Sequence, residues 1–122
     1  MTQQTDQLPA ATYAENLATQ LRKGFLAYCV LLICADKPKY TSDILKTLRT
    51  SKLVVVEGTI YPLLNRLQKD GLLEHKWQES GQGPPRKYYQ LTPYGEQVAG
   101  KLKTHVNQLH KTLTSLKKGS KK

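Results

Sequence analysis

The sequence predicts a mainly α-helical fold with one small β-hairpin, in the order α-α-α-β-β-α. Three observations carry this. Apolar residues recur at steps of three and four in separate stretches, the spacing of one helical face. Two aromatic-rich stretches flank Ser80-Gly81-Gln82-Gly83-Pro84-Pro85, six residues dense in turn formers. The chain has 122 residues and a hydrophobic fraction of 39%, enough for one domain with a modest core.

Residues 1–12 are polar, contain Pro9 and show no periodicity, so they read as a flexible N-terminal arm. The first helix runs from Tyr13 to Ala35, with Leu17, Leu21, Phe25, Tyr28, Leu32 and Ala35 on one face. Gly24 is its weak point, where it could break. Asp36-Lys37-Pro38-Lys39 is a turn, because Pro38 cannot continue a helix. Thr41 or Ser42 caps the second helix, which buries Ile44, Leu45 and Leu48 and ends at Thr50-Ser51-Lys52. Leu53 to Val56 is apolar and mostly β-branched, an extended connector packed on the core.

The third helix spans Glu57 to Asp70, with Ile60, Leu63, Leu64 and Leu67 inward. Pro62 falls in its opening turns and Gly71 supplies a left-handed C-cap. Leu72–Glu79 and Arg86–Leu91 are the strands of the hairpin, with a mobile tip between them. Tyr88 and Tyr89 alternate across the strand, so one is core; Trp77 is expected to pack under the hairpin. Thr92 caps the last helix, Pro93 opens it, and it runs to about Lys118. Its apolar seam is Val98, Leu102, Val106, Leu109, Leu113 and Leu116. Seven lysines and no acid follow Glu96, and Lys117–Lys122 reads as disordered, with 119–122 a basic tail.

Nineteen Lys/Arg against nine Asp/Glu leave a net charge of +10, which favours an acidic partner such as nucleic acid. The longest apolar run, Phe25–Ala35, has 11 residues, short of the roughly 18 that a membrane span needs. The N-terminus lacks a basic-then-apolar leader. A cytoplasmic protein without a membrane partner is expected. Cys29 and Cys34 are five apart, a turn of about 500° on a helix, so they face different ways. Buried free thiols fit that spacing better than a disulfide or a zinc site. His75, His105 and His110 form no metal constellation. No nucleophile–base pair, P-loop or dinucleotide fingerprint is present, so neither enzyme, catalytic residue, metal nor cofactor is expected.

A hairpin directly after a helix-turn-helix pair makes a winged helix-turn-helix over residues 13–92, followed by a separate helix over 93–118. The third helix would enter a major groove about 12 Å wide. Its exposed side carries Thr59, Tyr61, Asn65, Arg66, Gln68 and Lys69, groups that reach phosphates and base edges. Asn65 could read adenine; Arg66 could read guanine or hold a phosphate. Tyr61 has two open roles, contact with DNA or packing on the second helix. Arg86 and Lys87 stand at the root of the wing, beside the phosphate ridge or minor groove. The seam Leu102, Val106, Leu109, Leu113 and Leu116 exposes too much apolar surface for a lone helix. It needs an apolar partner, and Leu17 and Leu21 of the first helix are the surface expected to receive a partner's last helix.

The sequence resembles the PadR family of bacterial transcriptional regulators. The resemblance rests on Gly58-Thr59-Ile60-Tyr61-Pro62-Leu63-Leu64-Asn65-Arg66-Leu67, Asp70-Gly71-Leu72-Leu73, Trp77, Gly83-Pro84-Pro85-Arg86-Lys87-Tyr88-Tyr89-Gln90-Leu91-Thr92 and Gly95. Leu21-Arg22-Lys23-Gly24 fits the start of the family domain. The match covers about residues 20 to 96, and the chain looks like the compact branch with a single short C-terminal helix. The resemblance implies a winged-helix homodimer on a pseudo-palindromic double-stranded operator, usually a repressor responsive to a small-molecule inducer or stress. It also implies that Gly58 and Pro62 of the helix motif, and Tyr40, Thr41 and Ser42 before the second helix, belong to the DNA-binding set.

Two departures stand out: the family's Tyr-Gly-Tyr-Glu-Ile is Tyr40-Thr41-Ser42-Asp43-Ile44 here, and Pro84-Pro85 stands where many members add an arginine. Some compact members hold flat aromatic drugs between tryptophans of the last helix; here that helix has none, and Tyr94 is its only aromatic residue. The alternative reading of the same elements is a winged-helix protein-interaction module that does not read DNA.

Overall fold

The structure, a computed structural model, describes residues 7–51, 53, 57–79, 81 and 83–120. Helix α1 spans Ala10–Ile33, strand β1 Lys39–Tyr40, and helix α2 Thr41–Thr50. Helix α3 spans Glu57–Lys69, strands β2 and β3 span Leu73–Gln78 and Arg86–Leu91, and helix α4 spans Pro93–Ser120. The mainly helical class with a small sheet is as expected.

The core forms where α1, α2 and α3 meet one face of the sheet. It holds Leu26, Val30, Leu31 and Cys34 from α1 and its end, Ile44, Leu45 and Leu48 from α2, Ile60, Leu64 and Leu67 from α3, then Leu73 and Tyr89. The stripes expected for α2 and α3 are the buried ones, except that Leu63 is only half-buried. Tyr89 is the core tyrosine of its pair.

α1 opens at Ala10, inside the segment read as a free arm, and passes Gly24 without a break. On the one apolar face read from the sequence Tyr28 is buried, while Leu17, Leu21, Phe25 and Leu32 are exposed, Leu21 by 76%; the core stripe is Leu26, Val30 and Leu31. α1 carries two apolar faces, and a period of 3.6 residues does not say which one meets the domain's own core.

The sheet has three strands in the order β1-β3-β2, all antiparallel. β1 was not expected; two residues carry no periodicity. It pairs Lys39 with Tyr89 and Tyr40 with Tyr88. The Lys39 ammonium donates to the Ile33 carbonyl at 2.7 Å and to Asp36 at 2.6 Å, which ties the end of α1 to the sheet. That hydrogen bond from Lys39 is the main reason the Asp36 carboxyl lies below its ordinary value. The cap of α2 falls on Tyr40, not on Thr41 or Ser42, and the Tyr40 N–H donates to the Asp43 carboxylate at 3.1 Å. Of the connector only Leu53 is described, half-buried against the core; Val54, Val55 and Val56 lie outside the described residues, as do residues 1–6, Ser80 and Gln82.

α3 ends in a Schellman motif. Gly71 has φ +85°, its N–H reaches the Gln68 carbonyl, and the Leu72 N–H reaches that of Leu67. The chain then joins this turn to the start of α4. The Thr92 hydroxyl donates to the Gly71 carbonyl at 2.5 Å and accepts from the Gly95 N–H at 2.9 Å, the expected N-cap. Thr92 N–H donates to the Leu72 carbonyl at 3.1 Å. Gly95 is needed for this approach: a β-carbon there would stand 3.0 Å from the Leu72 carbonyl carbon and overlap its oxygen. Gly100, one and a half turns on, has open space around it. Gly95→Ala is therefore expected to destabilise by about 1–3 kcal/mol through overpacking. Gly100→Ala should stabilise by about 0.5–1 kcal/mol through helix propensity. Urea denaturation of the two variants checks the opposite signs.

α4 continues through Ser120, so Lys117–Ser120, expected to be disordered, are helical; Lys121 and Lys122 lie outside the described residues. Cys29 and Cys34 are free, and burial pushes the Cys34 thiol up to about 11, which keeps it protonated near neutrality. No helix among the described residues is long and apolar enough to cross a membrane.

Candidate nucleic-acid interface

α3 is amphipathic, and its outer surface follows from its buried stripe. At about 100° per residue, Gly58, Pro62, Asn65 and Lys69 point within about 50° of the direction opposite Ile60, Leu64 and Leu67. All four are exposed. Tyr61 falls on one flank and is 47% exposed. Thr59 and Arg66 fall on the other flank. Gln68 departs from the expected exposed set: it is half-buried, and its side-chain oxygen is out of solvent without a partner among the described residues.

The Arg66 flank faces α1. Thr59, Pro62 and Arg66 line a shallow cleft of about 320 Å³ with Lys23, Gly24, Leu26 and Leu63. Lys23 was absent from the sequence-derived site. The available signal was its spacing: three and seven residues before Leu26 and Val30, it lies on the buried stripe of α1, one turn beyond the core.

The wing is tied to the first turn of α2. The Arg86 guanidinium lies 3.7 Å from the Tyr40 ring centroid and donates to the Ser42 hydroxyl at 3.0 Å. The Tyr40 hydroxyl donates to the Gln78 side-chain oxygen at 2.9 Å, and Tyr88 meets the Tyr40 ring edge-on at 5.8 Å. Tyr40 and Ser42, with Thr41 between them, thus form one surface with Arg86, which is 44 residues from Ser42. Lys87 does not join them. Adjacent residues of a strand face opposite ways, and the half-buried Lys87 sits 5.4 Å above Tyr89 and 6.0 Å from the Trp77 ring. Trp77 is 62% exposed rather than packed under the wing. It pairs with Lys87 one row from the turn of the hairpin, at the end away from the buried Leu73.

A second surface lies between α1 and α4. Leu21, Phe25, Tyr28, Leu102, Val106, Leu109 and Leu113 line an apolar groove of about 600 Å³, with Gln20, Gly24 and His110 at its margins. Five of the seven residues assigned to dimerisation meet there; Leu17 and Leu116 stand exposed outside it. Phe25 and Tyr28 were not in that assignment. No group of three or more His, Cys, Asp or Glu residues that could hold a metal occurs among the described residues.

The sequence pattern of the transcriptional regulator PadR-like family matches residues 30–101. Among solved structures, a PadR-like transcription factor from Bacteroides fragilis is 48% identical with a TM-score of 0.71, covering 83% of this chain and 98% of that one. A PadR family regulator from Eggerthella lenta is 29% identical with a TM-score of 0.76, covering 87% and 93%. A PadR-like regulator from Bacillus cereus is 35% identical with a TM-score of 0.71, covering 80% and 95%. No curated protein matches the chain.

Proposed function

Because this chain belongs to the PadR-like family of transcriptional regulators, we propose that it is a homodimeric repressor that reads a pseudo-palindromic operator and is released by a small-molecule or stress signal. Members of the family are transcriptional regulators, not enzymes. The observation that carries the operator reading is the outer face of α3, all polar or small and all exposed, beside the wing that Arg86 ties to α2.

In this reading α3 enters the major groove. Asn65 makes a bidentate contact to adenine and Lys69 reaches a neighbouring base edge or phosphate. Gly58 and Pro62 lack long side chains and let the helix approach. Tyr61 contacts one wall of the groove; Thr59 and Arg66 contact the other. Tyr40, Thr41, Ser42 and Arg86 hold the backbone beside the wing, and Lys87 stands on the opposite face of the hairpin.

The second copy's α4 fills the groove between α1 and α4. Two-fold symmetry makes this reciprocal, so each subunit covers the other's Leu109 and Leu113, and the exposed Leu17, Leu21 and Leu116 lose water with them. A ligand entering there would be largely apolar, since leucine, phenylalanine and tyrosine line the walls.

The test is titration of a labelled duplex from upstream of the protein's own gene, at two salt concentrations and with competitor DNA. The expected result is binding that survives competitor and whose log–log salt slope is about −0.9 per phosphate neutralised. Binding to neither this duplex nor a genome-wide pool of fragments would return the protein-interaction module.

A further inference from the structure

Lys23 and Arg66 face one cleft from two helices, and no acid lines it. Neither takes part in an ion pair among the described residues. An anion in this cleft meets a cation from each helix, and a charge-assisted hydrogen bond from each is open to it. Lys23 is exposed, but its place on α1 follows from the buried stripe beside it. It stands on the stripe that continues as Leu26, Val30 and Cys34, all buried, so α1 aims it along the domain toward α3. The Thr59 hydroxyl adds a neutral donor to the same cleft.

We propose that Lys23 of α1 and Arg66 of α3 together hold a single backbone phosphate of bound DNA. This rests on the operator reading above. A helix about 10–12 Å across fills a major groove about 12 Å wide, so the flanks of α3 meet the sugar–phosphate walls and not the base edges. Arg66 is then a phosphate ligand rather than a reader of guanine. α1, which forms one wall of the apolar groove, thereby touches DNA directly.

The experiment compares wild type, Lys23→Gln, Lys23→Arg, Arg66→Gln and the double Gln variant on the upstream duplex and on a random-sequence duplex of equal length. Lys23→Gln should weaken binding roughly tenfold, by the same factor on both duplexes. The magnitude of the salt slope should fall by about 0.9 per subunit only in the double variant, because either cation left alone still neutralises the shared phosphate. Lys23→Arg should restore the affinity. The loss in the double variant should differ from the sum of the singles, because both cations serve one phosphate. An unchanged slope in the double variant, or a loss confined to one duplex, overturns the assignment while leaving the operator reading in place. Relief by inorganic phosphate but not by chloride at equal ionic strength, with DNA affinity unchanged by Lys23→Gln, makes the cleft a free-phosphate site and also overturns it. Absence of salt-dependent binding by wild type to either duplex ends the operator reading, and this assignment with it.

Discussion

Leu109→Asp is expected to leave the domain folded and to convert dimers into monomers. Leu109 is 63% exposed in the single chain and outside the core, so the change leaves the domain's own packing alone. In the proposed dimer the same position lies under the partner's helix. A carboxylate there is stripped of water without a partner, and symmetry applies the cost at both copies. About 4 kcal/mol in total is a conservative figure, or roughly a thousandfold in the dimer dissociation constant. Sedimentation velocity reads the outcome as a shift from the mass of two chains to that of one, with an unchanged circular dichroism spectrum. A mass that does not move would place the interface elsewhere. The monomer should also lose most operator affinity, because one recognition helix alone contacts half the site.

Asn65→Ala carries the second large effect, in sequence preference more than in affinity for DNA as such. Asn65 is exposed and faces away from the buried stripe of α3, so stability should stay within about 0.5 kcal/mol of wild type. On the operator the loss should be about 1–3 kcal/mol per half-site. On random DNA the affinity should hold, so the ratio between the two narrows. Selection of bound fragments from a random library reads this as relaxed preference at one base pair in each half-site. Equal losses on both kinds of DNA would move Asn65 from the base-reading set to the backbone contacts.

The contrast between these residues also shows which features the sequence makes legible. α2, α3 and the hairpin follow from strong local signals: Ile44–Leu48 and Ile60–Leu67 repeat at helical spacing, Gly71 and Thr92 cap, and glycine and proline fill the wing turn. α1 carries two apolar faces of the same period, so spacing alone does not show that Leu26, Val30 and Cys34 are the ones in the core while Leu17, Leu21 and Phe25 are exposed. Strand β1 is too short to show a pattern; what makes it a strand is Tyr88 and Tyr89, almost fifty residues later. The same holds for Lys23, which is unremarkable until α3 lies beside it. Trp77 is expected from sequence to pack under the hairpin, but it is exposed, because the core ends before its row of the sheet. Local order was legible wherever neighbours in sequence decide it; contacts between distant elements, such as β1 with β3 and Lys23 beside α3, were not.

The junction at Thr92 has a mechanical consequence. Gly71 and Leu72, which close α3, and Thr92 and Gly95, which open α4, are hydrogen-bonded or in backbone contact. No slack remains there for α4 to swing independently of α3. A helix of 28 residues is a rod roughly 42 Å long. A pivot of about 5° at this joint displaces its far end by roughly 4 Å. In the proposed dimer the rod would work in reverse: how two copies of α4 are clasped would fix the distance between two copies of α3. The protein then behaves as a ruler whose gauge is set at the far end from the scale, and whatever loosens the clasp changes the spacing it can measure.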